Sequence, residues 1–500
     1  MRDMFTLSMH HDIPICLPGS VQCMTTYVIL EQEDWFENEI AFIRRLLLPG
    51  MKAVDIGANY GVYTLTMARI AGPDGAVWSF EPASETMSYL RASIEKNRMP
   101  HVHLVQKAVS SRNGTSHLNL SVNAELNALS NSSGHTERRE PVELVTLDQC
   151  AKEFDWSGLE FIKLDAEGEE YNVVEGGRNL LTRESPLIMF ELMHRQNINL
   201  ALINRFAELG YETYRLVPGL NLLVPFRKGD QPDPFQLNLF CCKPDRAAVL
   251  EKRGFLVRAY PNEDDAVLDF PNSATEAMGD VSGIARIFAH GMEKNPEKTL
   301  IGSEQYKDAL DLYTRAHASS AGTATRFARL VSAFQKANIA ATSVASCARL
   351  QTCARIAWEL GQRHQALMAL NRLLQILEAS HKVVAEEPFL VATPRFETID
   401  SSSDLARWCL ASVMEQHEVL IAHSSYFMGP AAIRRLNTLR GLGFPSAQME
   451  RRRQLIGMRH GLQAEPEPSP LLAEKSPENL NPAFWTGMLA PNWKAKTDQS

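Results

Sequence analysis

The stretch Val54-Asp55-Ile56-Gly57-Ala58-Asn59-Tyr60-Gly61 ends an apolar strand, turns through small residues and opens an amphipathic helix. A second apolar strand, Ala76–Phe80, follows at a distance of about twenty residues and leads into Glu81. This succession of strand, tight turn, helix, strand and carboxylate is typical of domains that bind an adenosine-containing cofactor. Gly57 and Gly61 allow the backbone to approach a ligand without a Cβ clash, and Glu81 can accept hydrogen bonds from two ribose hydroxyls.

The turn itself indicates which cofactor is bound. A dinucleotide site reads G-x-G-x-x-G, but here Asn59 replaces the middle glycine and Asp55 precedes the turn. Asp55 would repel a pyrophosphate and suit a cationic amino-acid group, which favours S-adenosylmethionine with its α-ammonium and sulfonium. An ordinary strand-to-helix turn is the alternative, and the spacing to Glu81 argues against it. Val109 and Ser110 end the third strand and are expected near the adenine. The predicted cofactor-binding residues are therefore Asp55, Gly57, Asn59, Gly61, Glu81, Val109 and Ser110.

Strand and helix patterns alternate along residues 51–245, which predicts a Rossmann-like α/β domain with a mostly parallel sheet covered by helices. Strands are expected at 51–56, 76–81, 102–108, 160–165, 186–192, 211–217 and 236–242, and helices at 61–71, 84–97, 168–181 and 199–209. Alternating patterns at 116–122 and 142–146 predict an inserted hairpin. Residues 1–50 are expected to form a hairpin from the apolar runs at 13–15 and 25–30, and then a helix over 33–48.

The second half of the chain has a different pattern. After a predicted linker at 246–280, residues 281–460 show helical periodicity and predict an all-α region. Residues 348–377 are similar to one tetratricopeptide-type helical hairpin, but a repeat array needs at least about three copies, so a plain helical bundle is the alternative. Residues 461–500 are rich in Pro, Glu and Ser, and they are predicted to form a disordered tail.

Composition narrows the classes of function. The formal net charge is −8, the sequence pI is about 6.0 and no Lys/Arg-rich run stands out, so a nucleic-acid partner is not expected. No apolar stretch approaches the roughly 18 residues that span a bilayer, and the N-terminus lacks a secretory signal pattern. The 8 cysteines do not suggest a disulfide framework, and no Cys/His cluster has zinc spacing. These features predict a soluble cytoplasmic protein.

Methyl transfer from a sulfonium requires alignment of acceptor, methyl group and sulfur, and a hydroxyl acceptor must also lose a proton. In an open α/β sheet, ligands lie beyond the carboxyl ends of the parallel strands, where Asp165 and Glu191 are predicted. Asp165 is the first candidate for acceptor contact or general base, with capping of the following helix as the alternative. Glu191 and His194 are second candidates, with a surface-loop histidine as the alternative. Asp165 and Glu167 lack a third ligand at a diagnostic spacing, so no metal requirement is predicted.

Six segments carry a family resemblance: VDIGANYGVYTLTMA from Val54, FEP from Phe80, KAVSSRNGTSHL from Lys107, VTLDQ from Val145, FIKLDAEGEEYNVVEGG from Phe161 and FEL from Phe190. In this order they resemble the FkbM-type family of S-adenosylmethionine-dependent methyltransferases, and the KLDAEGEEYNVVEGG part is the most specific to it. The resemblance extends over about residues 20–245. It implies a Rossmann-like fold and methyl transfer, usually to a hydroxyl oxygen of a sugar or polyketide.

The leading interpretation is an O-methyltransferase that acts on a small-molecule or glycan acceptor, with the helical region recruiting the acceptor or a protein partner. An alternative of another class is an interaction protein in which the Rossmann domain is a degenerate scaffold. The joint presence of Asp55, Gly57, Gly61, Glu81 and Asp165 argues against such decay. A nicotinamide-dependent dehydrogenase is a third hypothesis, and the missing middle glycine and the absence of a Tyr-x-x-x-Lys pair near the acceptor edge count against it. The sequence does not identify the acceptor.

Overall fold

The computed structural model describes residues 4–120, 128–129, 139–194, 197–227, 229–259, 302–318, 320–380, 387–401, 404–462 and 469–487. The chain begins with an antiparallel hairpin of β1 (Met4–Met9) and β2 (Ile13–Pro18), followed by α1 (Met24–Gln32) and α2 (Asn38–Leu46). The strand predicted at 25–30 is wrong, because this apolar run is a buried part of α1 and a short apolar run does not distinguish a strand from a buried helix. The helix predicted over 33–48 begins only at Asn38, because Glu33 ends α1 with a φ of 60°.

The N-terminal half, residues 4–259, is built around a Rossmann-like sheet, as predicted. Its strands after the hairpin are β3 (Lys52–Ile56), β4 (Ala76–Phe80), β5 (Val102–Val105), β6 (Ala108–Val109), β7 (Gly114–Asn119), β8 (Ala128–Leu129), β9 (Arg139–Val145), β10 (Phe161–Leu164), β11 (Leu187–Glu191), β12 (Met193–His194), β13 (Asn197–Ile198), β14 (Glu212–Val217), β15 (Leu222–Pro225) and β16 (Asn238–Cys242). The main sheet has the order β15-β14-β16-β11-β10-β3-β4-β5. Its strands β3, β4, β5, β10 and β11 are parallel, whereas β16 runs antiparallel to β11. The first residue of β16 therefore lies at the edge where the parallel strands end.

Buried side chains cover both faces of the main sheet, because neighbouring strand residues such as Ala53 and Val54 belong to separate apolar clusters. The covering helices are α3 (Val62–Ala71), α4 (Ser84–Asn97), α5 (Leu147–Glu153), α6 (Glu170–Glu175), α7 (Arg178–Arg183), α8 (Leu200–Glu208) and α9 (Pro244–Lys252). Residues 246–259 continue this domain rather than the predicted linker, since α9 packs on it and Leu256 bridges to Leu223. The rest of the predicted linker, 260–280, lies outside the described residues.

A smaller sheet of order β6-β9-β7-β8 stands beside the main one. Its antiparallel pair of β7 and β9 confirms the inserted hairpin expected from the alternating patterns. The pair buries Leu118, Val142 and Leu144 against Ala83 and Ala108. Through this contact the insertion supports β6, whose last residue is Val109. Most of the loop between β7 and β9 lies outside the described residues.

The helical half, residues 302–487, is all-α, as predicted. Its helices are α10 (Ser303–His317), α11 (Thr323–Ser343), α12 (Cys347–Glu359), α13 (Arg363–Ser380), α14 (Leu405–Leu420), α15 (Ala432–Gly441), α16 (Ala447–Arg459), α17 (Pro470–Ala473) and α18 (Pro482–Trp485). Helices α12 and α13 form the pair at the site of the tetratricopeptide-like pattern, and that classification stays a prediction. Across the described part of the chain, the helices are too short or too polar to cross a bilayer.

A buried ion pair joins the two halves. Glu31 of α1 and Arg452 of α16 lie 2.8 Å apart with almost no solvent exposure. Glu31 also accepts hydrogen bonds from Ser424 and Ser425, and the hydroxyls of Tyr27 and Ser425 are 2.9 Å apart. Breaking a buried pair by removing one partner typically costs about 3–5 kcal/mol, because the remaining charge stays buried. These contacts fix the helical half against the N-terminal half.

Part of the predicted disordered tail is folded. Residues 469–487 contain α17 and α18, and Phe484 packs edge-on against Phe5 at 5.9 Å. Asn481 exchanges two hydrogen bonds with the backbone of Ser8, at 2.7 and 2.8 Å. The prediction of disorder is wrong for these residues. It rested on the average composition of residues 461–500, which does not reveal that a single aromatic side chain such as Phe484 packs against the N-terminal hairpin. Residues 463–468 and 488–500 lie outside the described part of the chain.

Candidate active site

A cavity of about 330 Å³ lies where the parallel strands of the main sheet end. Its walls combine the turn after β3, the end of β4, β6, and the ends of β10 and β11 with residues from outside the sheet. The segment between α1 and α2 contributes Trp35, Phe36 and Glu37, and the helical half contributes Phe427. The volume falls at the lower end of the range of about 300–1,000 Å³ for small-molecule sites. Both halves of the chain therefore shape this site.

The turn after β3 has the geometry that its glycines predict. Gly57 has a φ of +75°, and a Cβ there would lie 1.8 Å from the carbonyl oxygen of Asp165. Gly61 has a φ of +93°, and a Cβ there would lie 2.3 Å from Leu90 Cδ1. Asn59 has a φ of 51°, and its Oδ1 accepts a hydrogen bond from Tyr60 N at 2.7 Å. All three predicted turn residues line the cavity, where the backbone of the turn forms a cradle.

Glu81 lies at the cavity wall in a fixed position. Its Oε2 accepts the backbone N–H of Asn59 at 3.0 Å, and its Oε1 accepts that of Ala83 at 2.8 Å. A carboxylate has about four lone-pair sites, so acceptor capacity remains for two hydroxyls of a ligand. Burial raises the pKa of Glu81 to about 7, because the cavity wall excludes water from the carboxyl group.

Asp55 is not where the sequence interpretation placed it. The side chain is fully buried and does not line the cavity. Its Oδ2 accepts a hydrogen bond from Thr64 Oγ1 at 2.6 Å, and its Oδ1 lies 3.9 Å from Lys163 Nζ. Burial raises the pKa of Asp55, and the Lys163 charge opposes this. We therefore revise its role from direct ligand contact to anchoring α3 and Lys163 beneath the cavity.

The structure separates the two residues predicted near the adenine. Val109 lines the cavity, whereas Ser110 does not. Instead, Ser110 Oγ donates a hydrogen bond to Glu169 Oε2 at 2.9 Å, and Glu169 lines the cavity. Ser110 follows the last residue of β6, and this hydrogen bond directs its hydroxyl toward Glu169. Glu169, which follows the tight turn after β10, was not among the predicted site residues.

Asp165 follows the end of β10 and lines the cavity beside the glycine turn, on the side of β3 away from Glu81. Its Oδ2 is 2.9 Å from Lys163 Nζ, and its side chain is 38% exposed, so it is open to a ligand. Capping does not explain it, because Glu170 Oε1 accepts the turn N–H groups of Ala166 at 2.9 Å and Gly168 at 3.1 Å. Burial disfavours the charge of Lys163, but attraction to Asp165 and Asp55 outweighs this and raises the pKa of Lys163.

Glu191 also lines the cavity, but its protonation differs from that of an ordinary carboxyl group. Burial, followed by repulsion from Asp165 and Glu167, raises the pKa of Glu191 to about 9. The group therefore holds its proton at neutral pH, which suits a hydrogen-bond donor better than a base. His194 lies in β12, and its side chain lies outside the described part of the structure. The described residues contain no group of three His, Cys, Asp or Glu side chains that could hold a metal ion.

Two further polar residues that line the cavity were missed from the sequence. Glu37 accepts a hydrogen bond from the Tyr63 hydroxyl, and burial raises its pKa. Asn238 begins β16, opposite Glu191 in the sheet, and is 6% exposed. The residue lines the cavity, and its buried Nδ2 makes no hydrogen bond with the described residues. The rule that ligands bind at one sheet edge would have found Asn238 if β16 had been recognised as antiparallel.

Comparison with known proteins gives one family match, over residues 55–213, to the model described as "Methyltransferase FkbM domain". Among solved structures, the FkbM methyltransferase from Methylobacillus flagellatus KT has 16% identity and a TM-score of 0.28, over 39% of this chain and 44% of that chain. A SAM-dependent O-methyltransferase from Thermotoga maritima has 15% identity and a TM-score of 0.26, over 46% and 73%. A putative methyltransferase from Streptococcus mutans, in complex with SAH, has 8% identity and a TM-score of 0.25, over 41% and 95%.

No curated protein matches the chain. The chain spans less than half the length of the Methylobacillus flagellatus structure. The family match agrees with the Rossmann-like sheet and supports S-adenosylmethionine as the cofactor.

Proposed function

We propose, from the premise that residues 55–213 belong to the FkbM methyltransferase family, that this protein transfers the methyl group of S-adenosylmethionine to a hydroxyl oxygen. A sugar, glycan or polyketide-type molecule is the proposed acceptor. One observation carries the proposal: the cavity has a glycine cradle with the fixed Glu81 carboxylate at one side and the Asp165–Lys163 pair at the other.

The residues of the cradle fit S-adenosylmethionine. A Cβ at Gly57 would collide with the backbone of Asp165, so glycine lets the turn after β3 pack closely against the end of β10 and line the cavity. Glu81 has unused acceptor sites for the two ribose hydroxyls, and Val109 offers an apolar contact for the adenine. The bound cofactor would supply an activated methyl group and a thioether leaving group. The protein must then orient the acceptor and remove its proton.

Asp165 is the proposed proton acceptor. Asp165 would take up the proton that the acceptor hydroxyl loses on methylation. Lys163 holds one oxygen of Asp165 and is itself held by Asp55 below, which fixes the orientation of the carboxylate. Protonated Glu191 and the amide of Asn238 can donate to other oxygens of the acceptor. Trp35, Phe36 and Phe427 add aromatic surface, and this mixture of rings and polar groups suits a sugar.

We also propose that the two halves act as one enzyme rather than as a methyltransferase with a detached recruiting module. Phe427 of the helical half lines the active cavity, and the Glu31–Arg452 pair fixes its position. Cytoplasmic action is proposed because all 8 cysteines are free thiols, which is typical of a reducing compartment.

Titration of the purified full chain with S-adenosylmethionine and S-adenosylhomocysteine by calorimetry tests the cofactor assignment. Labelled methyl transfer to a panel of sugars then tests the acceptor class. Saturable binding and incorporation of label into a sugar hydroxyl are expected. A folded protein that binds neither cofactor would favour the interaction-protein hypothesis.

Glu81→Ala should weaken S-adenosylhomocysteine binding by about 10–100-fold, because a hydrogen bond to a charged acceptor contributes about 1.5–3 kcal/mol. Calorimetry measures the Kd directly. Glu85→Ala is the matched control, since Glu85 is exposed at the start of α4 and does not line the cavity. An unchanged Kd in Glu81→Ala would remove Glu81 from the ribose site.

Cofactor affinity should fall as the pH drops below 7. The pKa of Glu81 is about 7 in the free protein, and a protonated carboxyl loses acceptor capacity for the ribose hydroxyls. Ribose binding favours the ionised form, so the Kd should rise by up to about tenfold per pH unit below pH 7 and level off above it. Glu81→Gln should show a flatter profile between pH 5 and 8, because the titrating group is gone. Ionisation of the ligand is common to both proteins and cancels, so equally steep profiles would contradict the assignment.

A further inference from the structure

A second cavity, of about 310 Å³, lies next to the active cavity, between the two halves of the chain. Trp35, Phe36, Glu37 and Leu237 line both cavities, so the partition between them is one layer of residues. A molecule that extends from the active cavity past these residues would enter the second one. No step of the proposed methyl transfer uses this space.

The second cavity is lined by residues from both halves. The N-terminal half supplies Phe235 and the helix α2 with Glu39, and the helical half supplies Trp358, Arg363 and Gln448. The Arg363 guanidinium stacks over the Phe235 ring, with its carbon 4.7 Å from the ring centroid. Trp358 and Gln448 are each partly exposed. Flat rings beside planar polar groups suit a ligand that has apolar faces and hydroxyl edges.

The charges of the second cavity argue against an anionic ligand. Arg363 already donates to the carbonyl oxygens of Leu420 at 2.7 Å and Val419 at 3.1 Å, and its third contact is His423 Nδ1 at 3.0 Å. Arg215 donates to Leu360 O at 3.0 Å. A phosphate would therefore have to compete with existing hydrogen bonds.

Glu39 points to the same conclusion. The residue lines the cavity with 9% exposure, and its carboxyl group forms no ion pair with the described residues. Burial, followed by repulsion from Glu37, raises the pKa of Glu39 to about 8. This group would repel an anion, but it can donate to or accept from a neutral hydroxyl.

We propose that the second cavity binds the sugar unit adjacent to the one that is methylated, so that the acceptor is an oligosaccharide or the glycan end of a larger molecule. This inference rests on the proposed O-methyl transfer. Trp358 and the Phe235–Arg363 stack offer flat surface to the sugar ring, while Glu39 and Gln448 bind its hydroxyls. The helical half thereby contributes to acceptor specificity as well as to the active cavity.

Saccharide binding to the full chain saturated with S-adenosylhomocysteine tests this site. The probes are methyl glycosides of common hexoses and the corresponding di-, tri- and tetrasaccharides, measured by saturation-transfer NMR and calorimetry. At least one disaccharide should bind about tenfold or more tightly than its methyl glycoside. Trp358→Ala and Gln448→Ala should each remove most of that advantage and leave the affinities for the methyl glycoside and S-adenosylhomocysteine unchanged. Gln454→Ala, on the same helix α16 but outside the cavity, is the control for Gln448→Ala.

Equal affinity for one and two units would overturn the second-cavity proposal, and so would a length advantage that survives both substitutions. Absence of saccharide binding, or binding of inorganic phosphate that Trp358→Ala and Gln448→Ala weaken, would also overturn it. Failure of S-adenosylhomocysteine itself to bind would instead count against the proposed function. The two failures are therefore distinguishable in one set of titrations.

Discussion

Asp165→Asn should lower turnover by at least about 10²-fold while leaving the cofactor Kd almost unchanged. General-base assistance contributes about 10²–10⁴-fold, and an asparagine amide cannot take up the hydroxyl proton. The substitution keeps the shape of the side chain, and its amide oxygen can still accept a hydrogen bond from Lys163 Nζ, which lies 2.9 Å from the Asp165 carboxylate. Single-turnover methyl transfer measures the rate, and calorimetry measures the Kd.

Glu167→Gln is the matched control for this prediction. Glu167 also lines the cavity, two residues further along the same turn, whereas the ammonium of Lys163 lies between Asp165 and Asp55. We expect a loss of less than about tenfold in this variant, because binding contacts alone change rates less than loss of the base does. A large loss in Glu167→Gln with an unchanged rate in Asp165→Asn would move the role to Glu167.

The buried lysine explains why Asp55 matters although it does not touch the cavity. Lys163 Nζ lies between Asp55, which is fully buried, and Asp165, which is open to the ligand. A charge buried without a partner would be strongly unfavourable. The Asp55 carboxylate therefore stabilises the Lys163 ammonium, which in turn orients the Asp165 carboxylate. We therefore propose that Asp55 of the sequence pattern acts through Lys163 rather than by contact with the cofactor.

The fold of the N-terminal half was largely predictable, because short sequence segments specify its strands and helices. Strands β3, β4, β10 and β11 are apolar runs buried on both faces, and the intervening helices have helical periodicity. The apolar segment 25–30 was wrongly predicted to be a strand, because residues that are distant in sequence bury it. Residues such as Tyr426 and Trp485 belong to the same apolar cluster as Tyr27. No local pattern reports contacts with residues so distant in sequence.

The candidate site also has one part that was predictable from local sequence and another part that was not. The glycine turn and Glu81 were found because a short loop and a neighbouring strand specify them together. Glu37, Asn238 and Phe427 were missed because three separate elements bring them to the cavity: the segment before α2, an antiparallel strand and the helical half. The proposed cofactor side is thus specified by local sequence, whereas the proposed acceptor side depends on tertiary packing.

Gly57→Ala should be the most damaging single substitution of the cofactor side. The Cβ would lie 1.8 Å from the carbonyl oxygen of Asp165, and the residue has a φ of +75°. The backbone must move, and both the cradle and the proposed base would move with it. We expect cofactor affinity to fall by at least about 10²-fold and turnover to become undetectable, since misplacement of reacting groups by about 1 Å can cost 10²-fold in rate.

The control variant Gly50→Ala measures the cost of a positive φ without the steric clash that is expected in Gly57→Ala. Gly50 lies before β3, has a φ of +85° and leaves a Cβ free of contacts within 4 Å. Thermal unfolding should show a loss of about 1–2 kcal/mol in this control, from the left-handed conformation alone. Gly57→Ala should lose about 1–3 kcal/mol more, as overpacked sites do. If Gly57→Ala bound S-adenosylhomocysteine as tightly as Gly50→Ala, the cradle would not be in contact with the cofactor, and the ligand would have to be placed elsewhere in the cavity.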